Sequence, residues 1–223
     1  MRRAVGALIR KDLLLQRRTP EAVPAMVLFS IGTFVLFHFA LDEREVSGNL
    51  ASGILWVTLL FAAVLAINRL FVSEREEGGF DGIRLAPVDY TVLFAAKATA
   101  LVVFMIVLEL ATVPVFALFF LDSAAGLAPL VIVLLLVDLG LAATGTLISC
   151  MAVHSRSREL LVPLLLLPLA IPLMIAASGA TEPLLELGGP SYDRFGTWLA
   201  VLGLYDLVFL LVGYAVFDFL LED

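Results

Sequence analysis

The chain has 223 residues, of which 61% are hydrophobic and 16% charged; soluble domains usually carry about 45–50% apolar and about 25% charged residues. With a mean hydropathy of +1.05, a soluble domain of this length has too little interior to hide the apolar side chains, so a water-soluble enzyme and a disordered chain are excluded. The net charge of −7 argues against nucleic acid, whose phosphates need a basic face. One cysteine, Cys150, excludes an internal disulfide or a cysteine metal cluster.

Residues 2–18, RRAVGALIRKDLLLQRR, gather Arg3, Arg10 and Arg17 on one helical face. Val5, Leu8, Ile9, Leu13 and Leu15 fall on the other. A basic amphipathic helix lies in the headgroup plane, so an interfacial helix is expected over 1–21, ended by Thr19-Pro20. The plainer alternative is a topology signal without structure.

Six charge-poor stretches follow, at about 22–41, 48–68, 90–121, 124–153, 160–180 and 196–220. Each is long enough to cross a bilayer as a helix, and lipid leaves no partner for unpaired backbone groups. No period-2 alternation supports a barrel. The expected fold is an all-α integral membrane protein. With both termini inside, twelve of the fourteen Lys and Arg residues fall on the cytoplasmic side, and only Arg44 and Arg194 lie outside; this is the positive-inside pattern of a multi-pass membrane protein.

The longest inner loop, 69–89, contains Glu74, Arg75, Glu76, Glu77, Gly78, Phe80, Asp81, Ile83 and Pro87. A bare connector needs only a few polar residues and leaves Phe80 and Ile83 unexplained. These two stand three apart, as on one face of a short helix, and fit docking of a soluble partner.

Three acids lie deep within the spans: Glu109, Asp138 and Asp206. An acid at mid-span costs about 2.5–3.5 kcal/mol against lipid, so all three should face protein or a wet cavity. They are either hydrogen-bonded packing groups or a proton path. Asp138 heads a stripe of Ala142, Gly145, Ser149 and Ala152, and Gly196, Gly203, Asp206 and Gly213 make a second; small residues let helices approach closely. Pro163, Pro168 and Pro172 should bend or break span 5, and a small helix is expected over Glu182–Leu187. The only histidines, His38 and His154, lie at opposite faces and cannot form one site. His38 reads as an interfacial polar group. No catalytic or metal constellation is present, and no cofactor is expected to be bound by this chain.

The order of these features resembles an ABC-2-type (type V) exporter subunit, with the amphipathic helix, six spans and a loop running Glu74-Arg75-Glu76-Glu77-Gly78, Asp81, Leu85-Ala86-Pro87. Arg10 to Leu15, Gly53 to Val57, Arg69 to Gly78 and the proline-rich fifth span are similar to the CcmB (heme exporter protein B) family. The resemblance implies that 69–89 is the coupling element resting on a separate ATPase subunit. It also implies a second copy of the chain. Further implied partners are a CcmA-like ATPase, a CcmC-like haem-handling subunit, a small CcmD-like subunit and a CcmE-like periplasmic haem chaperone, with haem handled by the complex. Lys11 and Lys97 are the only lysines and neither follows a glycine-rich turn, so no phosphate-cradling loop of the G-x-x-x-x-G-K-[ST] kind exists here. An ABC-2 exporter of lipid, drug or glycan, and a proton-coupled carrier using Glu109, Asp138 and Asp206, are the alternatives.

The topology is testable by cysteine substitution. Cysteine at Asp42 or Ser191 should react with an impermeant reagent added to sealed cells, whereas Arg156→Cys should not; labelling of the latter reverses the assignment.

Overall fold

The computed structural model describes residues 22–41, 46, 48–69, 90–121, 124–152, 155, 157–186 and 190–222. The interfacial helix expected over 1–21, nearly all of the 69–89 loop and His154 lie outside these residues. Six long helices fill the described chain: α1 Ala22–Ala40, α2 Gly48–Arg69, α3 Tyr90–Phe120, α4 Leu127–Ala152, α5 Arg158–Thr181 and α6 Phe195–Glu222. All six are long and apolar enough to cross a membrane, and each matches an expected span to within about two residues, apart from α4. There the first residues, Ala124–Gly126, form a separate 3₁₀ turn.

The helices alternate in direction. One face of the bundle, the hairpin face, holds the α1–α2, α3–α4 and α5–α6 connections. The opposite, terminal face holds the ends that lead into the other two connections and the chain termini. Packing follows the ring α1–α2–α5–α6–α3, closed by α3 against α1, and α4 packs most extensively on α6, α5 and α3 and also touches α2. A helix that is apolar all round belongs in an interior, and α4 is buried at every position from Gly140 to Cys150. Leu28, Leu36, Phe39, Leu110, Leu118, Leu160 and Leu204 point outward, as an apolar solvent requires.

The hairpin face is locked by a short cap. Glu182–Leu184 forms a 3₁₀ turn closed by Leu185 N–H donating to Glu182 O at 3.1 Å. This is shorter than the helix expected over Glu182–Leu187, because Pro183 starts the turn and Leu185 leaves helical geometry at φ −105°, ψ 9°. The turn seats on two glycines. A Cβ on Gly48 would stand 2.5 Å from Glu182 O, and one on Gly126 would collide with Leu184 O. Below it, the Trp56 indole donates to Thr181 Oγ1 at 3.1 Å. Ser52 Oγ, which donates to Asn49 O, lies 2.9 Å from Ser178 Oγ, so Ser178 is the donor between the two serines. Trp56 therefore both packs in the core and ties α2 to α5.

Helix α5 runs unbroken through Pro163, Pro168 and Pro172, contrary to a break at the prolines. Each proline removes one backbone donor, but neighbours hold the helix: α4, α6 and α2 pack along it, and Tyr205 on α6 donates its hydroxyl to Leu169 O at 3.0 Å.

The glycine seats carry a stability prediction. Gly126→Ala must displace backbone rather than a flexible side-chain end, so it should destabilise by about 1–3 kcal/mol. Gly203→Ala, with nothing within 4 Å of the added methyl, should be neutral or stabilise by up to about 1 kcal/mol. Thermal unfolding of the purified protein in detergent checks the pair; equal midpoints would remove the seating argument.

Candidate functional site: the acidic belt and the paths to the coupling loop

The three intramembrane acids sit at one depth. Glu109 is eleven residues before Phe120, Asp138 eleven after Leu127 and Asp206 eleven after Phe195. At 1.5 Å per residue this is about 16 Å below the hairpin face, close to the middle of a hydrocarbon core of about 30 Å. All are buried, with exposures of 8%, 1% and 3% for Glu109, Asp138 and Asp206. They face protein, as the cost of an acid in lipid requires.

They do not form one cluster. Asp138 on α4 and Glu109 on α3 are neighbours across the α3–α4 contact. Asp206 packs instead over Gly140, where an added Cβ would lie 2.7 Å from its Oδ1. Positions 138 and 140 are about 200° apart around α4, so the pair and the single acid occupy opposite sides of the central helix. Beside Asp206, Tyr205 donates its hydroxyl to Leu169 O at 3.0 Å, and the Thr144 hydroxyl donates to Gly140 O at 2.7 Å. This polar seam joins α4, α5 and α6.

The small-residue stripe below Asp138 meets α2. A Cβ on Gly145 would stand 2.6 Å from Ile67 Cδ1, and Ser149 Oγ donates to Ile67 O at 2.9 Å. That carbonyl sits in the last turn of α2, where an intrahelical partner is lacking. The helix end leading into residues 70–89 is thus pinned to the central helix. The second stripe behaves differently. Gly213 packs against the Phe94 ring, but Gly196 and Gly203 have nothing within 4 Å, so only one of the three glycines makes a close approach. Lys97, seven residues into α3, is also buried at 2% exposure, a feature its charge alone does not reveal.

The coupling-loop residues Glu74, Arg75, Glu76, Glu77, Gly78, Phe80, Asp81, Ile83 and Pro87 lie outside the described residues; what the fold supplies is the pair of helices, α2 and α3, between which they run. His38 is exposed near the hairpin face and stacks on Phe119 with ring centroids 4.7 Å apart, consistent with an interfacial polar group. Among the described residues no group of three His, Cys, Asp or Glu side chains could hold a metal ion. Cys150 is buried and free. An apolar groove of about 530 Å³ opens between α2 and α5, lined by Trp56, Val57, Leu60, Pro168, Ile171 and Ile175 among others.

Comparison with known proteins covers nearly the whole chain. The family model described as "CcmB protein" matches residues 3–219. Heme exporter protein B of Pseudomonas aeruginosa is 34% identical over 196 residues, 87% of this chain and 86% of its own length. The protein of the same name from Bradyrhizobium diazoefficiens is 29% identical over 211 residues, 94% of this chain and 93% of its own. That from Rhodobacter capsulatus is 30% identical over 170 residues, 76% and 78% of the two chains. A match that takes in all six spans, the basic start and the loop between α2 and α3 means that the chain belongs to the CcmB family.

Proposed function

We propose that this chain is the non-catalytic membrane permease subunit of an ABC transporter complex for cytochrome c biogenesis. ATP hydrolysis takes place in a separate, CcmA-like subunit, and this chain couples it to haem export or to release of the haem-loaded, CcmE-like chaperone. The observation that carries the reading is the family match over residues 3–219, whose curated relatives are named heme exporter protein B. It extends through the loop that would meet the ATPase. In this account the protein lies in the bacterial inner membrane with both termini cytoplasmic, which puts the terminal face of the bundle, and residues 69–89, on the ATP side. A second copy of the chain and CcmC-like and CcmD-like membrane subunits complete the assembly.

Force from a soluble subunit reaches the bundle only through cytoplasmic elements. The turn between α4 and α5 is short, so the 69–89 loop is the segment able to present a folded surface. Its motion is delivered directly to α2 and α3. Because α2 is bonded to α4 through Ser149 and Ile67, displacement at the loop is transmitted to the central helix rather than absorbed in a flexible joint. The proton-carrier alternative is weakened by the separation of Glu109 and Asp138 from Asp206 on opposite sides of α4, which interrupts a relay through all three.

Buried apolar anchors usually carry more binding energy than rim charges. Phe80→Ala combined with Ile83→Ala should therefore leave the protein inserted but unable to hold its ATPase. Glu76→Ala or Glu77→Ala should weaken capture less and in a salt-dependent way. Co-purification of the ATPase with tagged protein, together with cytochrome c maturation in cells, measures both; normal values in the double variant would remove the loop as coupling element.

A further inference from the structure

We propose that the groove between α2 and α5 holds one acyl chain of a phospholipid from the hairpin-side leaflet. The groove is a slot with an apolar wall, in which Gly53, Trp56 and Leu60 of α2 face Leu167, Ile171 and Ile175 of α5. Gly53 has nothing within 4 Å of an added Cβ, so the space that a side chain would fill stays open. Toward the hairpin face the slot is closed by the ties from Trp56 to Thr181 and from Ser178 to Ser52. Val57, Ile171 and Ile175 on its rim are exposed, so it opens sideways to the surrounding lipid.

Length, width and chemistry select the occupant. On α5 the slot runs from Ser178, about 5 Å below the helix end at Thr181, to Leu167, about 21 Å below it. That length of about 16 Å matches one leaflet of a hydrocarbon core about 30 Å thick. A spanning helix of a second copy or of another subunit would run the full thickness. Spread along its length, the volume of about 530 Å³ makes the slot about 6 Å across, too narrow for a helix of about 10–12 Å with its side chains. It is wide enough for a polymethylene chain, which is one carbon thick and makes contacts at about 4 Å. Water is a poor occupant, because a buried water needs about two to four polar partners. The polar groups at the upper end have spent their hydrogens: Ser178 on Ser52 Oγ, Ser52 on Asn49 O at 2.9 Å, and the Trp56 indole on Thr181 Oγ1 at 3.1 Å. These spent donors leave nothing in the slot to recognise a headgroup, so the site selects the chain alone. An empty slot forfeits dispersion contacts along its wall, and a chain restores them.

The test is quenching of tryptophan fluorescence by brominated acyl chains, which acts at contact range. The protein has two tryptophans, Trp56 and Trp198. Trp198→Phe therefore leaves Trp56, which is buried in the core and lines the groove, as the sole reporter. The full chain carrying this change is reconstituted into phosphatidylcholine vesicles in which an increasing fraction of the lipid has brominated chains. Trp56 should lose most of its emission at full substitution, and the loss should be linear in the brominated fraction, as a single chain site requires. Brominated phosphatidylglycerol should give the same curve. Adding Gly53→Leu, which puts a side chain into the slot, should restore most of the emission. Unquenched Trp56 would mean that a second copy or another protein surface fills the groove, and would overturn the proposal. So would a loss steeper than linear, a difference between the two headgroups, or undiminished quenching in Gly53→Leu. The linearity and headgroup arms decide the matter even where Gly53→Leu does not accumulate.

Discussion

The fold depends on the packing of one helix, α4, against α2, α3, α5 and α6. In lipid there is no hydrophobic drive to bring helices together, so close packing and interhelical hydrogen bonds must do it. Helix α4 meets that requirement by placing a different kind of surface against each neighbour. Gly145 and Ser149 turn small, donor-bearing positions toward α2. Gly140 and Thr144 receive the polar seam from α6 and α5, and Asp138 meets α3. A leucine at 140 or 149 would fill space that neighbouring helices occupy and would strand their polar groups. Away from it, polar side chains tie α2 to α5 through Trp56–Thr181 and Ser52–Ser178.

Much of this architecture was legible in the residues, for physical reasons. Charge-poor length identifies a span because the bilayer sets the length of any helix that crosses it, and six runs became six helices. The shared depth of Glu109, Asp138 and Asp206 was also within reach, since each stands a fixed count from a span end. What could not be read was azimuth. Which acid meets which depends on how the helices rotate about their axes, and that is decided by packing. So the pairing of Glu109 with Asp138, and the isolation of Asp206, emerge only in three dimensions. The second glycine stripe misled for the same reason: spacing puts Gly196, Gly203 and Gly213 on one face, but only Gly213 finds a neighbour. Span 5 runs unbroken through its prolines because α2, α4 and α6 pack along it. The family resemblance drew on local motifs, and the match over residues 3–219 establishes what those motifs suggested.

The functional argument joins two halves of the molecule. The hairpin face is a rigid cap, with a 3₁₀ turn seated on Gly48 and Gly126 and tied inward by Trp56 and Ser178. The terminal face is where α2 and α3 lead into the loop, and where α2 is bonded to the centre. In the proposed coupling, a bundle fixed at the hairpin face and driven at the terminal face pivots about its fixed end, and the three buried acids sit midway along that lever.

The central claim is that this bundle serves cytochrome c biogenesis. Its most direct measurement is covalent haem in c-type cytochromes, read by haem staining of membrane and periplasmic proteins, in cells deleted for this chain and in the same cells re-expressing it. The account predicts loss of holocytochromes c in the deletion, with apoproteins still exported, and recovery on re-expression. Normal holocytochrome levels in the deletion strain would contradict it.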